Sequence, residues 1–348
     1  MIPPDPVRRP SPADLPAAGL APPLAGGVLV VVVPCFNEEA TVADVVAAVP
    51  REVDGFGRVE VLVVDDGSAD ATAERARSAG ARVVRHPRNL GLGRTFRDGV
   101  EHALRLGADA AVTIDGDGQF DPSLIPRLVA PLLAGDAHLV TASRFLDAAL
   151  VPSMPTLKRW GNRWVAWIVW LLTGQRYRDV SCGFRALSRE ALLRLNLFGG
   201  LTYTQETFLD LAFKGLRVVE VPVAVRGTRE HGRSRVASNL PRYAAHSLSI
   251  MLRSFVSYRP LLFFSAVAAL FLAAGGGLLA FLVAHYLRTG AFSPHIWAGF
   301  MGGSLAFVGV LSLLMGVLGD MLVRLRLSQE QVLYLLKARS FRRPPPGG

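Results

Sequence analysis

The sequence predicts an α/β domain followed by a pair of membrane-spanning helices. Three observations lead there. Apolar runs rich in β-branched residues alternate with helical stretches; each run stops abruptly in acid, amide and glycine; and two later spans, Leu261–Leu287 and Ile296–Val323, each exceed the ~20 apolar residues that cross a bilayer. The bulk numbers agree, since 51% hydrophobic residues and a mean hydropathy of +0.33 over 348 residues are high for a purely soluble enzyme.

The strands can be taken in order. Val28–Val33 is an apolar run of the kind buried on both faces of a parallel sheet, and Pro34, Cys35, Phe36, Asn37, Glu38 and Glu39 stop it before a helix that runs through Val49. Val59–Val64 is the second strand, ending in Asp65, Asp66, Gly67 and Ser68. A helical stretch near Ala71–Ala79, a short strand Ala81–Arg85, a turn at Asn89–Gly93 and a helix to about Leu106 lead to the strand that begins at Ala111. That strand ends in Asp115, Gly116, Asp117, Gly118 and Gln119. If the backbone stays extended there, the carboxylates at i and i+2 point the same way and can share one hard cation, with the Gln119 amide oxygen on the same side. Ligands of α/β sheets bind at the carboxyl ends of the strands, so Asn37, Asp66 and Asp117 should meet in one crevice. Taken singly, each of these ends also reads as ordinary turn or helix-cap chemistry.

Taken together, they resemble one family. The succession Pro34-Cys35-Phe36-Asn37-Glu38-Glu39, Asp65-Asp66-Gly67-Ser68, Asn89-Leu90-Gly91 and Asp115-Gly116-Asp117-Gly118-Gln119 is similar to the nucleotide-sugar half of family 2 glycosyltransferases. The resemblance implies a GT-A fold, a Rossmann-like mixed sheet, over roughly 28–225. It assigns Pro34, Phe36, Asn37, Glu38 and Asp66 to the nucleotide, and Asp115, Gly116, Asp117 and Gln119 to the diphosphate. Asp115, Asp117 and Gln119 are the implied ligands of Mg²⁺ or Mn²⁺. The family often carries Lys between the two glycines, where this chain has Leu92.

Downstream, Leu157–Thr173 is a helix whose Trp160, Trp164, Trp167 and Trp170 recur at intervals of three and four beside Lys158, Arg159 and Arg163, a pattern suited to core packing or to a membrane interface. Asp179, Gly183, Phe184, Arg185 and Glu206, ahead of a strand near Val218–Val225, resemble the acceptor half of the family, with Asp179 and Glu206 as orienting groups. The loop Arg229–Arg235 combines arginines, Gly232 and Ser234, a composition that can wrap a phosphate with guanidinium forks. It resembles the R-x-x-G-x-S-K loop of polyprenyl-phosphate sugar transferases, with Arg235 in place of Lys. By that resemblance Arg144, Arg159, Arg229, Ser234 and Arg235 surround the donor diphosphate and the lipid phosphate, and Asp117, Arg144 and Arg229 are the catalytic set.

Charge and targeting complete the organisation. Arg226–Arg259 carries seven Arg against Glu230, and Arg324–Gly348 six Lys or Arg against Glu330, so these two pieces account for the whole excess of +10. A uniformly basic nucleic-acid binder is excluded by that distribution. Basic residues at the outer ends of both spans place those ends, and the α/β domain, in the cytoplasm of a multi-pass cell-membrane protein. Residues 1–27 read as a disordered Pro/Ala-rich leader, 226–260 as a basic loop with juxtamembrane helices, 261–323 as the hairpin and 324–348 as a basic tail in which Leu327–Lys337 returns as an amphipathic helix. Glycines at 275–277, 299, 302 and 303 allow close helix packing within the hairpin or between copies of a homo-oligomer. Cys35 and Cys182 lack the spacing of a zinc site or disulfide framework.

The expected reaction is inverting transfer of a hexose from a UDP- or GDP-sugar to a polyprenyl phosphate at the bilayer. Three other readings stand beside it: a processive or other-acceptor membrane glycosyltransferase, a non-catalytic nucleotide-binding scaffold, and a sugar nucleotidyltransferase. No Q-x-x-R-W motif and only two spans argue against the processive form, and the complete Asp115, Asp117 and Gln119 set argues against a scaffold. A nucleotidyltransferase leaves the hairpin unexplained.

Overall fold

The computed structural model of the chain describes residues 26–151, 156–197, 203–225, 249, 252–253 and 255–342. Most of the expected leader and the whole of the Arg229–Arg235 loop, with Arg229, Ser234 and Arg235, lie outside them. The chain forms two compact units, one of residues up to Met251 together with those from Tyr334 on, the other Leu252–Leu333.

The first unit is a seven-stranded sheet between helices. Its strands are β1 (Gly27–Cys35), β2 (Phe56–Asp65), β3 (Arg82–Arg85), β4 (Ala110–Thr113), β5 (Leu139–Ser143), β6 (Arg185–Ser188) and β7 (Val218–Pro222), in the order β3-β2-β1-β4-β6-β5-β7. All neighbours pair in parallel except β6, which runs antiparallel to both β4 and β5. The helices are α1 (Val42–Ala48), α2 (Thr72–Ser78), α3 (Leu92–Arg105), α4 (Ile125–Leu133), α5 (Thr156–Thr173), α6 (Arg189–Arg194) and α7 (Thr204–Phe213).

The all-apolar β1 follows from its position, because both of its faces are covered. Val31 and Val33 pack into a core with α1 and α4, while Val30 and Val32 face a second core containing Phe96 and Val100 of α3 and Leu192 of α6. Pairing aligns Cys35 with Asp65 and Val32 with Thr113, so the three acidic strand ends emerge side by side from adjacent strands. Sheet order, not chain order, assembles the crevice.

The second unit contains α8 (Pro260–Thr289) and most of α9 (Ile296–Ser340), both long and apolar enough to cross a membrane. They pack through small residues. A Cβ on Gly275 would stand 2.7 Å from the Gly302 carbonyl, and one on Gly309 would stand 2.7 Å from Leu272. Gly302, Gly309 and Gly316 recur every seven residues on the buried side of α9, the spacing that keeps one seam facing a partner helix. Gly276, Gly277 and Gly303 have open space around them. No separate return helix forms after Val323: α9 continues unbroken to Ser340, since Leu327–Lys337 contains no Gly or Pro to stop it.

The last turns of α9 belong to the first unit. Tyr334 Oη donates to Glu190 of α6 at 2.9 Å, and the Arg194 guanidinium lies 4.7 Å from the Tyr334 ring. Lys337 Nζ donates to the Leu195 carbonyl at 2.9 Å, and Tyr334, Ala338 and Phe341 pack against the second core.

Candidate active site

The ends of β1 and β2 are sewn together by backbone-to-side-chain hydrogen bonds. Asn37 adopts φ 55°, a left-handed conformation that Asn tolerates better than most residues. Its N–H donates to Ser68 Oγ at 2.9 Å and its Oδ1 accepts from Ala69 N–H at 2.8 Å. Glu38 N–H donates to Thr72 Oγ1 at 2.9 Å, and Glu39 Oε2 accepts from Ala71 N–H at 3.1 Å. Pro34 is buried within β1, whereas Phe36 and Glu38 are half-buried at its rim.

Asp66, expected at the nucleotide, is buried and engaged within the protein. Oδ1 accepts from Leu90 N–H at 2.8 Å and lies 2.8 Å from His86 Nδ1; Oδ2 accepts from Gly91 N–H at 2.9 Å. The carboxylate thereby ties down the turn that opens α3. A shallow cleft of about 360 Å³ beside it is lined by Gly67, Ser68, Arg85, His86 and Pro87.

The acidic turn departs from the extended geometry on which its pairing was first argued. β4 ends at Thr113, and the backbone then turns, with Gly118 at φ 71° and the Gln119 N–H donating to Asp117 Oδ1 at 3.1 Å. The i, i+2 spacing of an extended strand therefore does not set the directions of the Asp115 and Asp117 carboxylates. The Cys35 thiol, buried at the end of β1, is pushed well above its ordinary range by burial first and then by the charges of Glu38, Asp65, Asp115 and Asp117. The turn is pinned by Thr41 Oγ1, which donates to the Gly116 carbonyl at 2.7 Å. A side chain at 116 is excluded by packing, for a Cβ there would stand 2.5 Å from Cys35 Sγ.

From the other side the segment that leads into β6 approaches Asp115. A Cβ on Gly183 would lie 3.0 and 3.1 Å from the two carboxylate oxygens and 3.2 Å from Tyr203 Oη. Thr113 Oγ1 donates to the Gly183 carbonyl at 2.8 Å, and Tyr203 stacks on Phe96 with ring centroids 3.9 Å apart. Burial and the Asp115 charge raise the Tyr203 hydroxyl well above the usual phenol range, so it remains protonated. Arg185 is fully buried beneath, donating to the carbonyls of Val180, Cys182 and Thr204, with the Phe208 ring 4.6 Å from its guanidinium carbon.

The oxygen-bearing side chains of the acidic turn are of the type that suits a hard divalent cation. No group of three or more His, Cys, Asp or Glu able to hold a metal occurs among the described residues. Asp115, Asp117 and Gln119 follow one another along this turn and bring only oxygen donors, the ligand chemistry of Mg²⁺ when substrate phosphates and waters complete its shell.

Arg144 and Asp179, both expected in the acceptor half, form a fork. Arg144 Nε and Nη2 donate to the two Asp179 oxygens at 2.6 and 2.9 Å, and Nη2 also donates to Ser181 Oγ at 2.9 Å. The Asp179 side chain is fully buried, while that of Arg144 is 22% exposed. Glu220 of β7 receives the N–H groups of Arg178 and Asp179 at 2.8 and 2.7 Å, and its burial raises its carboxyl above the usual range. Arg159 is exposed on α5 and Glu206 is half-buried in the first turn of α7. Sequence reasoning passed over Tyr203, Thr41 and Glu220, none of which stands in a polar strand-end cluster. Gly183 was visible in a motif, but its contact with Asp115 was not.

Comparisons with known proteins give the site a context. A family model described as "Glycosyl transferase family 2" matches residues 30–195. A dolichyl-phosphate hexose transferase of Haloferax volcanii is 33% identical over 201 residues, 57% of this chain and 82% of the relative. A dodecaprenyl-phosphate galacturonate synthase of Rhizobium johnstonii is 29% identical over 89% of this chain and 91% of its own. Among solved structures, glucosyl-3-phosphoglycerate synthase from Mycobacterium tuberculosis, in complex with Mn²⁺, uridine diphosphate and phosphoglyceric acid, matches with a TM-score of 0.54 and 25% identity, over 72% of this chain and 84% of that one.

Proposed function

The chain belongs to glycosyl transferase family 2, and on that footing we propose that it transfers a hexose from a UDP- or GDP-sugar to a polyprenyl phosphate at the cytoplasmic face of a membrane. It is a glycosyltransferase of GT-A-like fold with two C-terminal helices apolar enough for a bilayer. The observation that carries the acceptor assignment is the conjunction of those helices with relatives named for dolichyl and dodecaprenyl phosphates.

Asp115, Asp117 and the Gln119 amide would hold Mg²⁺ or Mn²⁺, which when bound would offset the charge growing on the departing nucleoside diphosphate. The chain's own residues supply alignment. Thr41, through the Gly116 carbonyl, fixes the turn that carries both aspartates, and the Gly183–Tyr203 wall limits where the Asp115 carboxylate can go. Arg144, held flat by Asp179, presents its outer face to phosphate oxygens. A lipid phosphate with a second pKa near ~6, by analogy with phosphorylated side chains, is largely deprotonated at neutral pH, so no strong general base is required. Positioning and charge compensation then carry the rate. Single displacement at the anomeric carbon, the family's inverting chemistry, completes the reading, with Arg229, Ser234 and Arg235 assigned to the acceptor phosphate by resemblance.

A second reading has its own support, because the structural relative binds phosphoglyceric acid, a soluble phosphorylated acceptor. The test is to incubate the full chain in lipid nanodiscs with polyprenyl phosphate, Mg²⁺ or Mn²⁺, and a panel of UDP- and GDP-sugars. A metal-dependent labelled lipid with one donor is the expected result. Transfer to phosphoglycerate but not to the lipid would overturn the acceptor assignment and leave the family standing.

A further inference from the structure

α5 is built with two working faces. Advancing ~100° per residue, Trp160, Trp164, Trp167 and Leu171 fall within a stripe about 60° wide. They are 63%, 44%, 50% and 61% exposed, whereas Ala166 and Val169 on the opposite side are buried. Tryptophans are seldom left this open in a row. One border of the stripe is basic: Arg159 and Arg163 are exposed along it, and the Arg176 guanidinium lies 5.2 Å from the Trp170 ring. The helix contains no Asp or Glu.

The inner face reaches the acceptor-side arginine. Asn162 Nδ2 donates to the Arg178 carbonyl at 2.7 Å, and Asn162 Oδ1 accepts from Ser181 Oγ at 3.1 Å. Ser181 Oγ in turn accepts from Arg144 Nη2, and the same arginine is forked onto Asp179. One helix therefore touches solvent with tryptophan and reaches the Arg144 pair through Asn162 and Ser181.

We propose that α5 docks in the headgroup layer of an anionic membrane surface and, through Asn162 and Ser181, holds the Arg144–Asp179 pair in register with that surface. Indole rings favour the boundary between headgroups and acyl chains, and a basic amphipathic helix binds there with its apolar face about 5–10 Å deep. The basic border answers lipid phosphates. A second copy of the chain is a poorer occupant, since pairing two such stripes brings arginines together with no acid on the helix to meet them. The docking stands independently of the acceptor reading, whereas the coupling to Arg144 rests on it.

The experiment uses the full chain carrying Trp297→Phe, so that α5 holds the four remaining tryptophans. It is placed in nanodiscs of phosphatidylcholine with or without phosphatidylglycerol, doped with lipid brominated near the top of the acyl chains. Docking predicts fluorescence quenching of about twofold, stronger with phosphatidylglycerol and weakened by salt. A variant with Trp160, Trp164 and Trp167 changed to Ser should lose the quenching. Unquenched, water-like emission in both lipids overturns the docking. So does shielding in detergent that grows with protein concentration, which would assign the stripe to a second copy. Asn162→Ala should leave quenching intact and raise the KM for bilayer-embedded polyprenyl phosphate without changing the donor KM. Equal effects on both substrates would refute the coupling. Absence of transfer to any lipid, with quenching retained, would instead count against the acceptor reading.

Discussion

Replacing Gly116 by Ala puts a methyl group between the two aspartates of the acidic turn, at a backbone position with no left-handed strain to confuse the outcome. Its Cβ would stand 2.5 Å from Cys35 Sγ, roughly 1 Å short of the ~3.5–4.0 Å of an ordinary contact. Cys35 is 3% exposed and cannot swing into solvent, so either the sheet end or the turn must shift. Overpacking of this kind costs about 1–3 kcal/mol of stability, and a displacement near 1 Å at a reacting centre costs about 10²-fold in kcat. Cys35→Ala removes the obstructing sulfur at a cost of about 1–2 kcal/mol of buried packing. The double variant Cys35→Ala/Gly116→Ala should therefore recover activity relative to Gly116→Ala, with a coupling of about 1–3 kcal/mol. The assay is nucleoside diphosphate release by the full chain in nanodiscs, alongside its melting temperature. If the double variant is no more active and no more stable than Gly116→Ala alone, the packing argument fails.

Three further outcomes are expected. Arg144→Lys keeps one positive charge but not the fork to Asp179, and should lower transfer by about tenfold or more while the fold survives circular dichroism; wild-type turnover would remove the fork from the mechanism. Asp66→Asn leaves one of the Leu90, Gly91 and His86 partners without an acceptor and should destabilise the first unit by about 1–3 kcal/mol, read as a lower denaturation midpoint; an unchanged midpoint would show that the turn does not need the carboxylate. Burial raises both thiols, Cys182 to about 12, so neither should react with iodoacetamide at pH 8 until the protein is denatured. Because the folded values lie above the ~8.5 of a free thiol, their contribution to stability is complete below that pH and declines as pH rises past it.

Where local pattern decides structure, the sequence was legible. The ends of β1, β2 and β4 could be placed because an apolar run broken by acid and glycine is a local signal, and the parallel register then brings them together. β6 was missed as a strand: Arg185–Ser188 is four residues long, and its antiparallel place between β4 and β5 depends on pairings far away in the chain. The same long-range pairing sets Gly183 against Asp115, a contact across 68 positions that spacing cannot reveal. Asp66 was readable as an important carboxylate but not as one bound to Leu90, Gly91 and His86, since the path of the 86–91 turn over β2 is tertiary. Hydropathy ends at Val323, whereas helix propensity does not, and so α9 outran its expected boundary.

The attachment of Tyr334–Phe341 to α6 bears on how the protein is made. The first unit is discontinuous in the chain, with Leu252–Leu333 interposed before its last piece. At ~5–20 residues per second a ribosome needs roughly 4–16 s to traverse that interval. Throughout it the sheet is complete, but the patch of the second core later met by Tyr334, Ala338 and Phe341 is bare. Translation through the end of α9 must finish before the first unit can close, and a chain halted within α9 would carry every aspartate of the site on a domain still missing its final piece.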